Sequence, residues 1–142
     1  MTTGPPPPAV RLSRRLPATP TSVAPLRRAV AALAHEAGFA QERVEDITVA
    51  LSEVLTNVVV HAYRDRAEPG PVALAAALDG EALRVTVRDE GVGFSRRNDS
   101  PGLGLGMPLV KAVADEIEIT SAPPSGTVVA LRFNPARGSV GQ

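Results

Sequence analysis

The sequence predicts an α+β protein: a two-layer sandwich in which helices cover one face of a mixed, mostly antiparallel sheet. Three observations lead there. Short segments alternate apolar and polar residues at the two-residue period of half-buried strands, as in Leu83, Val85 and Val87 or Val129, Leu131 and Phe133. Other segments carry the helical period, most clearly Ile47, Ala50, Leu51, Val54, Leu55 and Val58. Their order is strand, two helices, hairpin, loop and helix, hairpin, with no internal repeat.

Val10, Leu12 and Leu16 alternate loosely as a first strand. Thr19 to Ser22 supply cap and turn residues before an Ala-rich helix that ends near Gly38. The second helix lies within Asp46 to Asp65, DITVALSEVLTNVVVHAYRD. Ala67 to Pro71 break the chain, after which Val72, Leu74 and Leu78 alternate, Asp79-Gly80 turns, and Leu83, Val85 and Val87 alternate again, an antiparallel pair. A Gly-rich loop leads into a helix from about Met107 to Asp115, and Ile117 with Ile119, then Val129 to Phe133, read as two more strands.

The 142 residues suit one domain, 9–133, between a flexible Pro-rich leader at 1–8 and a flexible tail at 134–142. Lys plus Arg and Asp plus Glu each total 15 and aromatic residues make up 3%, so neither charge nor stacking surface points to nucleic acid or to an acidic membrane. There is no Cys, which excludes disulfides, thiolate metal sites and a Cys nucleophile. No apolar run is long enough to span a bilayer, and the expectation is a cytoplasmic protein.

Three features carry chemistry. Glu53 and Asn57 are four residues apart on the second helix, so they stack on one face beside the apolar stripe. The pair is either a solvated polar face or an acid and an amide able to poise a nucleophile and hold a hard cation such as Mg²⁺. Asp89 continues the parity of Leu83, Val85 and Val87, so it points inward unless the strand ends there. An inward carboxylate needs a donor; Thr127 shares its layer, and a ligand's exocyclic amine would complete the set. Glycines follow: Gly91 and Gly93 after Asp89, then Gly102, Gly104 and Gly106 before a helix whose N-terminal N–H groups suit phosphate. The GxGxG spacing fits neither a P-loop nor a dinucleotide βαβ fingerprint, and a plain turn-forming loop is the alternative.

Together, ExxxN on a helix, DxGxG after a strand, GLGLG before a helix and a late Gly-Thr resemble the GHKL ATPase superfamily. The segments SEVLTNVVVHAY, VRDEGVGF, GLGLGMPLVKAVADEIEITS and SGTVVALRF are most similar to small bacterial anti-sigma-factor serine/threonine kinases, over about Val10 to Phe133. The resemblance implies a histidine-kinase-like ATPase fold, ATP with Mg²⁺, and two protein partners, a sigma factor and an anti-sigma-factor antagonist, with a homodimer by analogy. Carried over by position, Glu53 is the general base and Asn57 the Mg²⁺ ligand. Asp89 accepts from the adenine amine, Gly91 and Gly93 admit adenine, and Thr127 joins that end. Gly102, Gly104 and Gly106 line the phosphate loop. Two departures accompany the match: only SRRNDSP separates Phe94 from Gly102, a short lid, and Pro101-Gly102 stands where those kinases place an Arg. A module that binds nucleotide and partner without phosphoryl transfer is therefore the alternative function. His61 reads as a helix-end residue, and His35 lacks the helical hairpin of a phosphohistidine carrier.

Overall fold

The computed structural model describes residues 8–92, 107–121 and 126–136. Strand β1 (Val10–Pro17) is mostly exposed, as an edge strand bearing Arg11, Arg14 and Arg15 should be. Pro20 then opens helix α1 (Pro20–Glu36), where its missing N–H costs no hydrogen bond. Gly38, at φ +91°, ends that turn in a conformation open to glycine. Helix α2 (Gln41–Asn57) begins earlier than the sequence suggests, because Arg43 and Val44 are already buried. The expected continuation toward Asp65 is not regular: Val58–Ala62 form a π-helical turn. A π turn holds more than four residues, so His61 does not continue the Glu53 and Asn57 face as in an α-helix.

Strands β2 (Pro71–Asp79) and β3 (Ala82–Asp89) form the expected hairpin, with Gly80 at φ +63° in its turn. Helix α3 (Met107–Val113) precedes β4 (Glu116–Ser121) and β5 (Thr127–Phe133). The sheet order is β1-β2-β3-β5-β4, and all four pairings are antiparallel. The two-layer α+β sandwich is thus the fold, but the expected mixed character of the sheet is absent among the described residues. β4 does run parallel to β3; β5 lies between them, so no parallel ladder forms.

One face of the sheet packs against the helices. Leu74, Leu83, Val85, Val87, Leu131 and Phe133 meet Leu26, Val30, Ile47, Leu51, Val54 and Leu55, all at most 2% exposed. Each such side chain contributes about 1.5–3 kcal/mol through burial. At the β3-start end of this layer, Arg43 is 3% exposed and binds four partners. It donates to Asp46 Oδ2 (2.9 Å), the Val113 carbonyl (2.6 Å), the Asn134 carbonyl (2.9 Å) and Asp115 Oδ2, and its guanidinium lies 5.5 Å from the Phe133 ring centroid. Asn134, the first residue of the expected tail, is fastened here: its N–H also donates to Asp115 at 2.7 Å. The Pro-rich leader up to Pro7 and the chain beyond Ala136 lie outside the described residues. No helix among the described residues is long and apolar enough to cross a membrane.

Candidate functional site

The parity argument for Asp89 holds. Leu83, Val85, Val87 and Asp89 are all buried while Arg84 and Arg88 are exposed, so the carboxylate points into the layer shared with the helices, 7% exposed. No cation pairs with it among the described residues. Its support is backbone: the Gly91 N–H donates to Oδ1 at 2.9 Å, and Thr127, its register partner across β3 and β5, contributes a second backbone hydrogen bond. Burial nevertheless dominates and raises the Asp89 pKa; the two backbone bonds oppose this and the neighbouring Glu90 charge adds to it.

Thr127 shares the inward face, as expected, but its hydroxyl is 3.2 Å from Ser121 Oγ on β4. Its contribution to Asp89 is therefore made by the main chain. Gly126, at φ +101°, immediately precedes β5, where an added Cβ would lie 2.2 Å from the Asp89 carbonyl oxygen. The glycine of the late Gly-Thr pair thus lets β5 close onto the end of β3.

Gly91 permits the close approach that its spacing suggested, and main chain makes it. An added Cβ would lie 2.0 Å from the Ala62 carbonyl oxygen, which accepts the Val92 N–H at 2.9 Å. The close approach at Gly91 is between the loop after β3 and the π turn after α2. Gly93 of the same loop, and Gly102, Gly104 and Gly106 of the second glycine segment, lie outside the described residues, as do Arg96 and Arg97.

Glu53 and Asn57 occupy the last turns of α2, both half-buried. Asn57 Nδ2 is buried without a hydrogen-bond partner among the described residues. An orphaned amide costs roughly 1–3 kcal/mol and calls for a ligand. Asn57 opens the π turn whose last residue, Ala62, touches Gly91, so the helix end with Glu53 and Asn57 adjoins the loop that orients Asp89. No group of three or more His, Cys, Asp or Glu is placed to hold a metal among the described residues. The donor set fits Mg²⁺ held by one side-chain oxygen together with phosphate and water, rather than by a carboxylate cage.

Tyr63 was not singled out by sequence reasoning. It is 5% exposed, and its hydroxyl accepts the Glu90 N–H at 2.7 Å and donates to the Pro71 carbonyl at 2.5 Å. Burial raises its pKa above 10.0, so it remains a protonated donor. The available signal was its singularity: it is the only Tyr in the chain, placed at the end of the site helix.

Comparison with known proteins places the chain in a family and matches its fold. Residues 16–133 match the family described as the histidine kinase-like ATPase domain. The serine-protein kinase RsbW of Bacillus cereus strain AH187 is 32% identical over 124 residues, covering 77% of this chain and 76% of that protein. The RsbU and RsbW domains of Rv1364c from Mycobacterium tuberculosis superpose with a TM-score of 0.68 at 27% identity, over 92% of this chain and 33% of that one. The histidine kinase domain of the Erythrobacter litoralis EL346 blue-light activated histidine kinase superposes with a TM-score of 0.58 at 31% identity, over 83% of this chain and 61% of that one.

Proposed function

The chain belongs to the histidine kinase-like ATPase domain family, among relatives of the RsbW serine-protein kinases, and on that premise we propose that it is an ATP-binding anti-sigma regulatory factor. In this reading it sequesters a sigma factor and phosphorylates an anti-sigma-factor antagonist on Ser or Thr, in the cytoplasm. The observation that carries it is Asp89, a carboxylate 7% exposed with no cation beside it among the described residues. Such a group is costly to bury without a partner and is matched by a hydrogen-bond donor such as the exocyclic amine of adenine.

Around that anchor, Thr127 and Gly91 complete the base end with Gly93, while Gly102, Gly104 and Gly106 receive the phosphates. Asn57 offers Oδ1 to Mg²⁺ and its orphaned Nδ2 to a phosphate oxygen. Bound Mg²⁺ supplies charge neutralisation at the transferred phosphoryl group. Glu53 takes the proton from the attacking Ser or Thr hydroxyl as its oxygen bonds to the γ-phosphorus and the bond to the β-phosphate oxygen breaks, releasing ADP. A base in that position contributes about 10²–10⁴-fold.

The short lid and the Pro101-Gly102 pair favour one second reading, a module whose nucleotide only sets its affinity for a partner. Transfer of labelled γ-phosphate to an antagonist separates them. In the kinase reading, Glu53→Ala retains Mg·ATP affinity and loses transfer; equal transfer by variant and wild type removes Glu53 from the role. Wild-type protein that binds Mg·ATP but transfers nothing supports the binding module.

A further inference from the structure

All three main-chain N–H groups that follow Asp89 are engaged by fixed acceptors. Glu90 donates to Tyr63 Oη at 2.7 Å, Gly91 to Asp89 Oδ1 at 2.9 Å, and Val92 to the Ala62 carbonyl at 2.9 Å. Two of these acceptors, Ala62 and Tyr63, are consecutive residues at the end of the π turn that begins after Asn57. The Tyr63 hydroxyl is itself fixed by donating to the Pro71 carbonyl at 2.5 Å, at the start of β2. Its ring is held on both sides. Gly70 has no Cβ because one would lie 2.6 Å from Tyr63 Cε1, and the Arg66 guanidinium covers the ring at 4.8 Å while donating to the Glu90 carbonyl at 3.0 Å. The carboxylate of Asp89 can rotate only as far as the peptides after it allow, and Tyr63 fixes the first of those peptides.

We propose that Tyr63 is a positioning residue for base selectivity, acting through the Glu90 peptide to aim Asp89 at the exocyclic amine of a bound purine. The inference rests on the nucleotide-binding reading above. It gives a physical link between the two ends of the site: the turn that leaves Asn57 at the metal end also supplies the hydroxyl that orients the base-end acid. A purely structural Tyr63 would lower stability and affect every nucleotide alike. A positioning Tyr63 affects only nucleotides that offer the amine.

The test compares Mg·ATP with Mg·ITP, in which a carbonyl replaces that amine, by calorimetric titration of wild type, Tyr63→Phe and Gly70→Ala. Tyr63→Phe deletes the hydroxyl, and Gly70→Ala crowds the ring while keeping it, so either variant alone gives a result if the other fails to fold. Wild type is expected to prefer ATP. In the variants ATP affinity falls about tenfold, the equivalent of about 1.4 kcal/mol, while ITP affinity is unchanged, so the preference collapses. A preference retained by the folded variants, with only a lower melting temperature, overturns the Tyr63 role and leaves the nucleotide reading standing. Wild-type protein that binds neither nucleotide, or both alike, overturns the Asp89 assignment and this inference together.

Discussion

Gly91 faces the carbonyl oxygen of Ala62 so closely that a Cβ there would lie 2.0 Å from it, inside any distance real atoms adopt. Both partners are backbone, and the Ala62 carbonyl is already tied to the Val92 N–H, so neither can step aside without breaking the contact between the loop after β3 and the π turn. Gly91→Ala is therefore expected to destabilise the fold by about 1–3 kcal/mol, the usual cost of forced overpacking, and to loosen the loop as well. Urea unfolding measures the first. A midpoint equal to wild type would mean that the loop and the turn separate freely.

Arg43 predicts a larger loss. Its guanidinium joins the start of α2 to the end of α3, to Asp115 before β4 and to Asn134 after β5. Arg43→Met removes a buried cation from beside two acids, 11% and 15% exposed at their side chains, which typically costs 3–5 kcal/mol. Arg43→Lys is expected to recover little, because one ammonium cannot reproduce a planar fork that reaches acceptors on several elements. The check is urea unfolding of both variants; a Met variant within about 1 kcal/mol of wild type would show the network to be replaceable by packing alone.

The two predictions differ in how far the sequence foretold them. Asp89 was legible because a period of two fixes which face a strand residue takes, and five residues of β3 agree with it. Glu53 and Asn57 were legible for the same kind of reason on a helix. Arg43 was not: its partners Val113, Asp115 and Asn134 stand 70, 72 and 91 residues away, and no local pattern announces them. Gly91 was half legible, since its freedom shows in the sequence but the Ala62 carbonyl that uses the space does not. The run Val58, Val59, Val60 gives no local sign of a change from α to π winding, which packing against the β3 loop accompanies. Strand neighbours along the chain are similarly misleading at β4, because β5 returns between it and β3.

Asp89→Asn is expected to raise stability and weaken nucleotide binding at once. Burial raises the Asp89 pKa in the folded protein above its unfolded value near 3.8. Between those two values the folded state holds a proton that the unfolded state has released. The group's contribution to stability is therefore complete below 3.8 and is lost as the pH rises through the folded pKa. At neutral pH the buried charge is a burden that Asn, which can still accept the Gly91 N–H, does not carry. The melting temperature of Asp89→Asn should exceed that of wild type at neutral pH, and the difference should shrink as the pH falls toward 4. Acid effects common to both proteins cancel in that difference. Calorimetry should meanwhile show Mg·ATP affinity reduced by about tenfold or more, because the amide presents one acceptor in place of a charged one. A variant that melts below wild type by the same margin at every pH would mean that the carboxylate stabilises the empty fold. Asp89 would then be a structural acid, and its burial would no longer argue for a ligand.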